Sequence, residues 1–138
     1  MFTEEIRRCI EGISLAMVAT SDESGNPHLA VANRVLTLDD QHLMLENWYC
    51  PATLRNIARN PSVAIVVMSR DAEIGYQFIG NVAHGYDVAL LSGYAPEVEP
   101  PGEPQALTRI VVRVDEVLAF CSGIHTDQPL KNCQQAKP

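Results

Sequence analysis

The chain lacks any apolar run near the roughly eighteen residues needed to cross a bilayer. Glu4 and Glu5 precede its first short apolar stretch, unlike a signal peptide. Basic residues are scarce: ten stand against seventeen acidic ones, a formal charge of −7. That balance argues against a phosphate-backbone binder and weakly opposes anionic membranes. It still permits a small anionic ligand in a locally positive pocket. Four cysteines, at 9, 50, 121 and 133, form no Cys-x-x-Cys unit, match no zinc spacing and are too few for a disulfide scaffold. His28, His42, His84 and His125 are scattered, so no metal site is expected. P-loop, Rossmann glycine pattern, His-Glu-x-x-His stretch, nucleophile elbow and internal repeat are all missing. These absences predict a reduced, cytoplasmic protein that binds neither membrane nor nucleic acid.

What is present is one domain's worth of chain, 138 residues with 46% hydrophobic content. Phe2, Ile6, Cys9, Ile10 and Ile13 recur at helical spacing, with Thr3 placed to cap and Gly12 to end the helix. Strand-like segments follow at 15–21, 28–38, 42–49, 62–69, 76–86 and 109–120. The early connections are too short for parallel crossovers, so neighbouring strands must run antiparallel. Gly80, inside a strand, predicts a bulge or a close backbone approach. Pro51 starts a second short helix over 51–61, and a third is read at 87–94 before an acidic, proline-rich loop. Six strands, short loops and no βαβ rhythm predict a small antiparallel barrel. Residues 122–138 read as a polar tail.

The segment 47–60 concentrates the chemistry. Trp48 and Tyr49 end a strand, and a helix start carrying Thr53, Arg55 and Asn56 follows at once. Free N–H groups, a hydroxyl and a guanidinium in that order suit a phosphate, although a capped surface helix would use the same residues. Asn33 and Arg34 interrupt an apolar strand, which suits either recognition of a planar ring or simple alternation. Tyr76 and Phe78 share a face, which serves a subunit contact or a closed core equally well. Cys121 and Cys133 form a terminal pair that could be redox-linked.

Taken in order, AMVATSDESGNPHLAVANRV, DDQHLMLENWY, TLRNIARNPSVAIVV and GYQFIGNVAHG resemble the flavin-binding split-barrel family, which includes pyridoxamine 5′-phosphate oxidase and small FMN-binding proteins. The likeness spans about residues 13–120, and the small FMN-binding branch is the nearer match. The resemblance implies a mainly β fold: a six-stranded antiparallel split barrel with Greek-key topology, one N-terminal helix and one short inserted helix, filling residues 1–121. It implies a homodimer with FMN at the interface. The phosphate falls to Thr53, Arg55 and Asn56. The ring falls to Asn33, Arg34 and Val35, to Asn47, Trp48 and Tyr49, and to Gln77 of the second copy. Family members usually place a lysine or arginine at or beside position 53, where this chain has Ala52 and Thr53. The Arg-x-x-Pro and Trp-Gln-Gly elements of true pyridoxamine phosphate oxidases are missing from its end, so vitamin B6 oxidation is not expected. An FMN-dependent oxidoreductase or electron-transfer protein, working with a small-molecule or redox-protein partner, is the first expectation. A non-enzymatic binding or structural homodimer and a deazaflavin-using relative stand beside it, and related barrels also bind haem. No catalytic residue is assigned.

Overall fold

In a computed structural model, the structure describes residues 1–12, 15–69, 73–90 and 105–130, with only the backbone described at 89 and 90. Helix α1 (Glu4–Glu11) precedes strands β1 (Leu15–Ser21), β2 (Pro27–Ala32), β3 (Arg34–Thr37) and β4 (His42–Tyr49). Helix α2 (Pro51–Arg59) then leads to β5 (Ser62–Met68), β6 (Gly75–Leu90) and β7 (Ala106–Ala119). All strands pair antiparallel in one sheet of order β2-β1-β5-β6-β7-β4-β3. Strands β5, β6 and β7 are joined as successive hairpins, and β4, reached from β5 through α2, lies beside β7. That is a Greek key.

The sheet has seven strands, not six. The expected strand 28–38 divides at Asn33: β2 pairs with β1, whereas β3 pairs with β4 at the opposite edge. Ala32 and Val35 are both buried although three residues apart. An unbroken strand would turn them to opposite faces, so the chain breaks phase between them. Consecutive strands at opposite edges require the sheet to curl. The Asn47 side-chain amide donates to the Val31 carbonyl and ties β4 to β2 across that closure.

The core lies inside the curl. Val18, Leu43, Leu45, Ile65, Val67, Phe78, Ile110, Val112 and Val114 alternate inward along their strands and are buried. Helix α1 covers the open mouth. The Thr3 hydroxyl accepts from the Ile6 N–H at 3.2 Å, and Ile6 and Ile10 are buried beneath the helix. Phe2 meets Phe78 edge-on at 5.7 Å between ring centres. Phe78 therefore belongs to a closed core, with Tyr76 packed against its rim. Residues 87–90, expected as helix, continue β6 instead, because their backbone pairs with residues 106–108 of β7. The acidic loop at 96–104, and Cys133 of the suggested cysteine pair, lie outside the described residues.

Candidate functional site

The turn between β1 and β2 is built around one carboxylate. Asp22 Oδ1 accepts from the N–H groups of Ser24 and Asn26, each at 2.9 Å, and Oδ2 accepts from the Asn26 side chain at 2.9 Å. These bonds, the Asn26 side chain foremost, hold the Asp22 carboxyl below its ordinary value. Gly25 sits at φ 84, where a side chain would be strained. The turn faces α2, which Pro51 opens at its first position. The Asn56 side chain donates to the Thr20 hydroxyl at 3.1 Å, and Asn60 donates to Ser21 at 3.0 Å. Helix and turn are thereby fixed against each other.

Between them opens a groove of about 510 Å³, walled by Arg55, Asn56 and Arg59 on one side and by Asp22, Glu23 and His28 on the other. The Arg59 guanidinium is tied to Glu23 at 2.6 Å. Helical spacing places Ala52, Arg55, Asn56 and Arg59 toward the groove.

The expected site residues fall in several places. Arg55 and Asn56 line the groove. Thr53 does not open onto it: its side chain is fully buried and its Oγ1 meets no hydrogen-bond partner. Tyr49 is likewise buried with an unpartnered hydroxyl, and burial pushes its phenol far above the ordinary value. Trp48 stands half-buried opposite Leu107 on the outer face of β4. Asn47 is engaged with Val31. Asn33, Arg34 and Val35 line a separate recess of about 370 Å³ beside Ile10 and Glu11 at the end of α1. Gln77 lies between Val66 and Leu118 in the sheet register. One chain thus unites Arg55 with Asn56, and Asn33 with Arg34 and Val35, but does not join all ten.

Two features had little trace in the sequence. Glu23, His28 and Arg59 line the groove, although the sequence reading assigns none of them to a site. The second is an apolar outward face. Val31, Met17, Val66 and Gln77 stand in one cross-strand row, and Leu29, Ala19, Ala64 and Ile79 in the next. Leu29 is 64% exposed and Val31 44%.

Chemically, the groove sets two guanidiniums, two asparagine amides and an imidazole against two carboxylates, Asp22 and Glu23. Among the described residues, no three histidine, cysteine, aspartate or glutamate side chains gather as a metal site. Among them, too, no helix is long and apolar enough to cross a membrane.

A curled antiparallel sheet closed by a leading helix, with a short helix inserted before the fifth strand, is the architecture of a split-barrel protein. The model of the pyridoxamine 5′-phosphate oxidase family matches residues 2–121, and the chain belongs to that family. A protein of Methanocaldococcus jannaschii, described only as uncharacterized, is 25% identical over 125 residues, 88% of this chain and 82% of that one. HupZ of Group A Streptococcus shares the fold with a TM-score of 0.66 at 22% identity, covering 91% of this chain and 99% of that one. An FMN-binding protein of Syntrophomonas wolfei shares it with a TM-score of 0.63 at 12% identity, covering 87% and 85%.

Proposed function

We propose that the chain is an FMN-binding oxidoreductase or electron-transfer protein that works as a homodimer. The observation carrying this reading is the placement of Arg55 and Asn56 side by side on the groove face of α2, in a member of this family. A phosphate needs charge-assisted donors within reach of solvent, and these two residues, with His28 opposite, supply them. Thr53 is too deeply buried to contribute, so the phosphate is assigned to Arg55 and Asn56. When bound, the flavin supplies the transfer of hydride or single electrons. The chain's own part is to hold and orient it. Asn33, Arg34 and Val35, with the β4 end at Asn47 and Trp48, form the wall for the ring. Gln77, on the apolar outward face, is offered to the flavin of a second copy.

The test is titration of the protein, stripped of any ligand, with FMN by flavin fluorescence. Saturable binding is expected, and Arg55→Ala should weaken it about tenfold or more, the scale of one charged hydrogen bond. A folded protein that binds no FMN, or an Arg55→Ala variant that binds as well as the parent, overturns the reading. Displacement of FMN by a deazaflavin at lower concentration would reassign the cofactor.

A second reading is favoured by Ala52 and Thr53, which stand where the family usually has a lysine or arginine. It makes the chain a non-enzymatic binding or structural homodimer. It predicts a stable dimer without bound flavin, or bound flavin that NADH and NADPH fail to reduce.

A further inference from the structure

The turn after β7 gathers a thiol, an imidazole and a carboxylate that the proposed function does not use. Cys121 stands two residues past the end of β7, after Phe120. Its base is fixed by the Phe120 N–H, which donates to the Gly75 carbonyl at 2.9 Å. The chain then reverses, and the Leu130 N–H donates back to the Val117 carbonyl at 2.7 Å. Within the turn, His125 Nδ1 lies 2.8 Å from the Gly123 carbonyl oxygen and 4.0 Å from Cys121 Sγ. His125 Nε2 lies 3.1 Å from Asp127 Oδ1. Asp127 reaches that position at φ 55, a left-handed conformation that a residue with a side chain rarely adopts.

Both oxygen neighbours of the ring are acceptors. The two contacts are hydrogen bonds together only when each ring nitrogen carries a proton. The thiol beside Nδ1 can supply the second one. Cys121 is half-buried among the described residues.

We propose that Cys121 is a modification site for low-molecular-weight disulfides, with His125 as its base and Asp127 holding the ring. In the step, the Cys121 thiol passes its proton to His125 and the thiolate attacks one sulfur of the disulfide. A bond forms between Cys121 and that sulfur as the original S–S bond breaks. The other sulfur leaves as a thiolate and takes the proton back from His125. The Cys121 sulfur is oxidised to the disulfide level and the departing half is reduced to a thiol, so no further oxidant is needed.

The full chain, reduced beforehand, is treated with bis(2-hydroxyethyl) disulfide, which is neutral and insensitive to the protein's charge. Peptide mapping by mass spectrometry then gives the rate at each cysteine. Cys50 is more exposed than Cys121 and serves as the internal reference. Cys121 is expected to react roughly tenfold faster than Cys50, and His125→Gln to bring it down to the Cys50 rate. Asp127→Asn should give a partial fall. A Cys121 rate at or below that of Cys50 in the parent protein overturns the proposal, and this comparison needs no variant. So does a His125→Gln protein, shown folded by circular dichroism, in which Cys121 reacts as fast as before.

Discussion

Thr53 and Tyr49 each bring a hydroxyl into the interior where it meets no partner. A buried polar group left unpaired costs about 1–3 kcal/mol. Thr53→Val keeps the shape and removes that group. It should leave stability unchanged or raise it by up to about 1 kcal/mol in urea unfolding. With the phosphate assigned to Arg55 and Asn56, it should also leave FMN affinity unchanged, and a tenfold loss would return Thr53 to the site. Three solvent-accessible carboxylates are held in their charged form by local hydrogen bonds. The Asn26 side chain, the Gln41 N–H and the terminal ammonium are the largest causes holding Asp22, Asp39 and Asp40, respectively, below the ordinary value. A carboxyl depressed in the folded state stabilises it fully above the unfolded value, near 3.9, and loses that contribution as pH falls through the folded value. Melting temperature should therefore drop as pH is lowered from about 5 to about 2. Replacing the three residues with asparagine should flatten that drop, and an unchanged slope would contradict the assignment. Arg55 and Asn56 were readable at this scale, because helical spacing on a proline-started helix fixes their side. Thr53, expected at the phosphate, is instead buried away from the groove. Leu54 and Ile57, on the apolar side by composition, are partly buried against the core, and Thr53 beside them is the fully buried residue of α2.

At the scale of the element, β6 shows what the backbone demands. A Cβ at Gly80 would lie 2.0 Å from the Arg113 carbonyl oxygen and 2.9 Å from its carbon. The register of β6 against β7 shifts between Ile79 and Gly80 at the same place. Those neighbours are backbone and cannot swing aside. Gly80→Ala should destabilise the protein by about 3 kcal/mol or more, because two strands must separate to admit the methyl group. Gly25→Ala is the control. Its Cβ would meet nothing within 4 Å, and only φ 84 opposes it, so its cost should be about 1 kcal/mol. Chemical unfolding of both variants measures the difference, and equal effects would mean that close approach is not what fixes glycine at 80. The sequence already pointed to Gly80, since a glycine among strand formers needs a backbone reason. It concealed the division of 28–38. Alternation with period two looks continuous through Asn33 unless the burial of Ala32 and Val35 is known. It also misleads at 87–90, where Ala89 and Leu90, good helix formers, are held extended by pairing with β7.

For the whole molecule, the surface on which the proposed dimer turns is the outward apolar face that the described residues leave exposed. Strand β5 sends Val63, Ile65 and Val67 inward and turns Ala64, Val66 and Met68 outward, so it is apolar on both faces. In the sequence that pattern marks an interior strand, which β5 is, but it does not say what meets the second face. Beside it, Met17 and Val31 extend the apolar row to the edge at β2, and Gln77 stands in the same row. An outward apolar row that ends on a polar group suits a second copy whose flavin Gln77 approaches. Val31→Asp tests this arrangement directly. The side chain is 44% exposed in the single chain, so the substitution should leave the monomer folded, with melting little changed, while placing an unpaired charge in the contact. Light scattering should report a dimer for the parent and a monomer for Val31→Asp. The variant should also lose FMN affinity, whereas Arg55→Ala should lose affinity and remain a dimer. That contrast would separate the two halves of the proposed site, one offered by α2 and one by a second copy. A Val31→Asp protein that stays dimeric would move the contact to another face and detach Gln77 from the flavin.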